Sequence, residues 1–254
     1  MYQFAMKVLS GSIMLPVHQH IAFGMTAFYK DYLVDEINTI SNKIVASFEP
    51  DGVPESIWAG VMSVPQDIYY LTRGVMDTEH RSQNSNHFHR LATFIKNGDI
   101  DSAIVRLVET IARDFIDRLP EDKKDALLNS IYAKVGSRFG TTTTLMYLLT
   151  SRMNRSIAMH PKLKASLGIF RGAAINSILT AGALANHSAY DSRELREQNP
   201  RLYWRLRSMG ELDILYFLIK DSVSGYVEAS GMQEQGRDDE YRRIIDNVIN
   251  QLNG

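Results

Sequence analysis

The sequence predicts an all-α fold, a compact bundle of about eight to ten helices forming one domain over residues 1–254. Three observations predict it. Apolar residues recur at steps of three and four through most of the chain. Prolines and glycines fall mostly at the ends of those periodic runs. No stretch sustains the alternation of a sheet, and no repeat of roughly 20–50 residues is present.

The first element carries the least information. MYQFAMKVLSGSIMLPVHQH holds one lysine and a mildly apolar run with no convincing cleavage site, so it is not read as a secretory signal. Residues 8–29 contain no acid and include Gly11 and Gly24. A helix over 27–48 follows from Tyr32, Leu33, Ile37, Ile40, Ile44 and Val45, and the turn EPDGVP stops it because Pro50 and Pro54 lack amide donors. PESIWAGVMSVPQDIYYLTRGVM then starts a helix with Pro54 in its first turn and is interrupted at Pro65. DTEHRSQNSNHFHRLATFIKNG reads as a polar connection leading into a helix that closes at Gly98.

DSAIVRLVETIARDFIDRL is the clearest amphipathic helix, with Ile104, Leu107, Val108, Ile111, Phe115 and Leu119 on one face. Pro120 ends it. EDKKDALLNSIYAKVG resumes a helix with acids first and a glycine last, as the macrodipole and the left-handed cap favour. The threonines 141–144 have strand propensity alone, yet they lead directly into LMYLLTSRM and read as the start of a helix. Two further helical runs lie in PRLYWRLRSMGELDILYFLIKDSVSGYVEAS. RDDEYRRIIDNVINQLNG closes the chain as an amphipathic helix facing inward with Ile244, Ile245, Val248, Ile249 and Leu252.

Charge is distributed unevenly behind a formal net value of -1. Residues 126–190 contain no Asp or Glu, while Lys134, Arg138, Arg152, Arg155, Lys162, Lys164 and Arg171 give them a formal +7. Such a block either docks on its acidic flanks or is kept free of carboxylates to meet phospholipid or nucleic acid. Cysteine is absent, which excludes disulfides, cysteine metal sites and thiol nucleophiles, and fits synthesis in the cytoplasm.

Signatures of catalysis are missing. There is no GxSxG, phosphate loop or GxGxxG after a strand. His18 and His20 form an HxH pair, and His80, His87 and His89 sit near Asp77 and Glu79, but no metal-ligand spacing of the HExxH kind occurs. No catalytic residue, cofactor or metal is therefore assigned. An enzyme assembled from dispersed His, Asp and Glu residues, with His87 and His89 to test first, is the third-ranked reading. Arg193, Arg196, Arg201, Arg205 and Arg207 lie near Tyr203 and Trp204, yet Glu194, Glu197 and the acidic flanks favour a solvated helix face over a nucleic-acid surface.

The remaining signal is a central, small-residue-rich helical hairpin. Gly136 and Gly140 form one GxxxG pair and Gly168 and Gly172 another, each leading into an uncharged run, with Gly182 further along the second. Glycines four apart let helices approach closely, as they do in lipid. Between the runs, Arg152, Arg155, Lys162 and Lys164 with Pro161 make a basic turn suited to an anionic membrane surface. The uncharged runs, 13 residues over 139–151 and 19 over 172–190, are short or polar for a permanent span of about 20 apolar residues. Conditional insertion fits better, with Asn176, Thr180 and His187 as a polar stripe.

In design, residues 126–190 resemble the small helical pore-forming toxins that bacteria deliver into competitors, which are soluble at rest and enter a membrane through glycine-rich helices. No residue correspondence goes with that likeness. The first expectation is thus a soluble bacterial effector or toxin, exported without a signal peptide, membrane-associated in action and stored with a cognate immunity or carrier protein. The second is a cytoplasmic helical interaction protein, an adaptor, immunity or regulatory factor, whose hairpin is core. A homo-oligomer is compatible with both.

Overall fold

The computed structural model describes residues 16–48, 86–87, 89–94, 99–135, 142–159 and 178–254. All regular structure among them is helical: α1 (Pro16–Ala46), α2 (Ile100–Arg118), α3 (Glu121–Val135), α4 (Thr142–Met159), α5 (Ile178–Gln198), α6 (Pro200–Ser208), a 3-10 turn (Leu212–Leu215), α7 (Tyr216–Glu234) and α8 (Asp238–Asn253). Residues 89–94 are also helical. The chain divides into two units, residues 1–39 and residues 40–254. In the first, Tyr32 and Val34 of α1 are exposed.

Local chemistry places the boundaries of the second unit. Asp99 caps α2 by accepting from the Ser102 hydroxyl and, at 3.3 Å, from the Ser102 amide, and these bonds, the hydroxyl's first, pull its pKa down. Pro120 ends the same helix, with Leu119 extended at φ -67 and ψ 131, and α3 begins at once with Glu121 and Asp122 in its first turn. Asn199 turns α5 into α6: its Oδ1 accepts from the Leu202 amide at 3.0 Å, and Pro200 fills a first-turn position that needs no amide donor. Gly210 at φ 98 and Glu211 at φ 64 reverse the chain into the 3-10 turn, and Gly236 at φ 76 separates α7 from α8.

The predicted face of α2 is the buried one. Ile104, Leu107, Val108, Ile111, Phe115 and Leu119 all lie in the core. Phe115 meets Tyr226 of α7 edge-on at 5.1 Å and Tyr241 of α8 at 6.4 Å. Both tyrosines are buried with a hydroxyl partner, Ser47 Oγ for Tyr226 and the Phe115 carbonyl for Tyr241. The α8 face is likewise inward, with Ile244, Ile245, Val248 and Leu252 buried, while Ile249, predicted on the same face, is only half-buried at its edge.

α7 is the helix around which the others assemble, packing on α2, α5, α8 and α4. It can do so because Ser222, Ser224, Gly225, Ala229, Ser230 and Gly231 are small and buried. A Cβ on Gly231 would stand 2.1 Å from the Gln198 carbonyl oxygen, and one on Gly225 would stand 2.9 Å from Lys43 Cβ. Neither position has room for a methyl group. Lys43 then bridges to Glu228 at 2.7 Å, joining the end of α1 to the same helix.

Candidate functional site

Polar groups gather in two places along α5, and the two are built differently. On the side facing α7, Lys220 Nζ reaches Asp191 at 2.9 Å and Glu194 at 2.5 Å. Burial raises the Asp191 pKa above its ordinary value, and Lys220 pulls it back only in part. For Lys220 burial acts against the charge, yet the two carboxylates outweigh it and its pKa rises. Tyr216, fully buried nearby, has its hydroxyl pKa pushed up by burial and then by Asp191, and its Oη has no hydrogen-bond partner among the described residues.

The second cluster lies against the 3-10 turn. Asp213 is completely buried there and accepts from Ser192 Oγ at 2.8 Å and from Arg90 Nη2 at 2.6 Å. Arg90 also donates through Nε to Glu211. One turn before Arg90, His87 is only 8% exposed. Its pKa falls from 6.5 to about 4, first through burial, then through Arg90, with Arg193 and Arg207 adding to the drop and Asp213 opposing it. The imidazole is therefore neutral at pH 7. Among the described residues, His87 Nδ1 and Arg90 Nη1 are buried without a hydrogen-bond partner.

Arginines and aromatic rings continue this cluster to the surface. Arg193 lies over Tyr190 at 4.7 Å, while Arg196 and Arg207 each stand 5.6 Å from the Trp204 ring centre. Arg207 Nη1 donates to Tyr203 Oη at 2.6 Å, and Trp204 is 53% exposed. A third polar group is structural: Asp114, buried in α2, holds Arg118 at 3.2 Å and Asn199 Nδ2 at 3.2 Å, locking the α5–α6 junction.

Many of the residues singled out for the hairpin and its basic turn lie outside the described residues. Gly136, Gly140, Lys162, Lys164, Gly168, Gly172 and Asn176 are outside them, as is His80. Thr180, Gly182 and His187 fall on α5, with His187 half-buried near Asp191. Arg152 and Arg155 fall on α4, half-buried and exposed respectively. His87 and His89 do not form a pair, since His87 is buried and His89 exposed. Among the described residues no three His, Asp or Glu side chains come together as a metal site.

Sequence reasoning missed Arg90, Ser192 and Asp213. Nothing in GELDIL distinguishes a buried aspartate from an exposed one, and only the 3-10 turn drives Asp213 inward. The arginines were visible in the sequence, but their grouping with His87 was not. No protein-family model, no curated protein and no solved structure matches this chain. Function has to be argued from the residues themselves.

Proposed function

We propose that the protein is a non-catalytic, all-helical interaction protein, an adaptor, immunity or regulatory factor, in which the acid-free segment 126–190 serves as core. One observation carries this reading. Leu145, Leu149 and Met153 recur once per turn on α4 and are completely buried against neighbouring helices. The apolar face that would meet lipid is already occupied by protein. Removing three such side chains from a core costs on the order of 5–9 kcal/mol before lipid returns any of it. Further along, α5 buries Ala185, Ser188, Ala189 and Leu195 and carries the charges Asp191 and Glu194. No helix of the described residues is long and apolar enough to cross a membrane.

Conditional insertion, as in a toxin released from an immunity or carrier protein at an anionic membrane, is the competing reading. What favours it is the outer face of α4, which has no charge from Thr142 to Ser151 and leaves Tyr147 71% exposed. Dye release from anionic liposomes separates the two. The purified protein should release no dye at neutral or mildly acidic pH and should be harmless when expressed in bacteria. Release by the wild type that disappears in Gly172→Asp would overturn the interaction reading.

A further inference from the structure

The corner where α5 runs into α6 carries cations that its own carboxylates do not neutralise. Residues 196–210 hold Arg196, Arg201, Arg205 and Arg207 against a single acid, Glu197. Neighbouring carboxylates are engaged elsewhere, Glu194 by Lys220, Glu211 by Arg90 and Glu234 by Arg118. Among the described residues none of these arginines forms an ion pair. Aromatic rings fix two of them instead. Arg196 and Arg207 each stand 5.6 Å from the Trp204 ring centre and 5.9 Å from that of Tyr203, and Tyr203 Oη accepts from Arg207 at 2.6 Å. Arg201, Trp204 and Arg205 share the outer face of α6, opposite the buried Leu202, Tyr203 and Leu206, and Trp204 is exposed at its centre.

A guanidinium held over a ring keeps its N–H edge free for the two-point grip on a carboxylate. Exposed tryptophan among arginines is also the combination in which the binding energy of protein interfaces concentrates. The extent of the face selects the occupant. Glu234 accepts from the Arg201 amide at 3.1 Å at one end of α6, and Glu211 follows at the other, its amide bonded to the Arg207 carbonyl at 3.0 Å. The cationic face is thus closed by acids at both ends of a helix about 13 Å long. A nucleic-acid backbone running across it would meet those acids, and a stacking base would find the Trp204 ring already shared by two guanidiniums. A short acidic stretch of protein is spared both conflicts. We infer that the outer face of α6, with Trp204 at its centre and Arg196, Arg201, Arg205 and Arg207 around it, is the docking surface for an acidic segment of a partner protein. The inference rests on the interaction reading above and gives it a place and a partner chemistry.

Calorimetric titration of the full chain with hexaglutamate, beside hexaglutamine at equal ionic strength, tests it. Saturable binding of the acidic peptide alone is expected, with a change in tryptophan fluorescence that disappears in Trp204→Phe. Affinity should fall roughly tenfold or more when Arg201→Gln and Arg205→Gln are combined, and should weaken with added salt. Arg196→Gln, at an exposed position, serves if that double variant does not fold by circular dichroism. No saturable binding of hexaglutamate, or equal binding by wild type and folded variants, overturns the inference. So does tighter binding of oligothymidylate or of phosphatidic acid vesicles than of hexaglutamate, or self-association that Arg205→Glu abolishes, which would give the face to a second copy. Dye release by the wild type would bring down the interaction reading itself, whereas failure of hexaglutamate to bind a protein that releases no dye brings down this surface alone.

Discussion

Two polar clusters hang on the same helix, and their charge balance sets them apart. Around Lys220 one ammonium serves two carboxylates, and the group without a hydrogen-bond partner among the described residues, Tyr216 Oη, is neutral. Around His87 the charges are those of Arg90, Arg193, Arg207 and Asp213, and the atoms without a partner among the described residues are a guanidinium nitrogen and an imidazole nitrogen. The first cluster is a closed weld between α5 and α7. The second is held together through Asp213, which is completely buried, and it leaves Arg90 Nη1 without an acceptor among the described residues. A buried ion pair alone says little about function.

The largest expected effect comes from breaking the second cluster at its buried anchor. Asp213→Asn removes the buried charge that holds Arg90 and should cost about 3 kcal/mol in urea unfolding, because Arg90 then keeps only the partly exposed Glu211 as a counter-charge. Gly231→Ala tests the spacing that both clusters share. Its methyl would strike the Gln198 carbonyl, forcing α5 from α7, with an expected loss of about 3 kcal/mol and lower protection of both helices in hydrogen exchange.

Lys220→Met should cost less, about 2 kcal/mol at pH 7, since the Glu194 side chain is partly exposed and Asp191 can take up a proton. The loss should shrink as the pH is lowered into the acid range, because burial raises the Asp191 pKa and a protonated Asp191 no longer needs the lysine. A loss that stays constant with pH would mean that Lys220 acts through packing instead.

His87 gives an effect no larger than that of Lys220, with the opposite pH dependence. Its pKa in the fold, about 4, lies below the 6.5 of the unfolded chain, so the unfolded state binds the extra proton between those values. The stability it confers is whole above pH 6.5 and is lost as the pH falls toward 4. Compared with His87→Leu, the wild type should lose roughly 2 kcal/mol more between pH 7 and 4.5.

The two small-residue regions carry a related lesson about legibility. GIFRGAAINSILTAGALANH carries no charge apart from Arg171, whereas SVSGYVEASG in α7 holds Glu228 and reads in the sequence only as part of a helical run. Yet it is α7 whose glycines meet neighbouring backbone and side chains at less than a methyl's clearance. Glu228 could enter such a helix because Lys43 neutralises it at the edge. Composition marks where close packing is permitted, and only the partner surfaces show where it occurs.

By itself the sequence determined the all-helical class, the apolar faces of α2 and α8, the stop at Pro120 and the helical reading of the threonine run, whose helix starts at Thr142. These follow from contacts three or four residues apart and from the covalent limits of proline, so they are local. The tertiary structure alone decided that α7 is the centre, that Asp213 is buried while Glu211 beside it is partly exposed, and that His87 lies among arginines. Arg90 and Asp213 are far apart along the chain, and no local propensity encodes their meeting. It arises when the 3-10 turn and α5 bury their apolar neighbours and carry the charges inward with them.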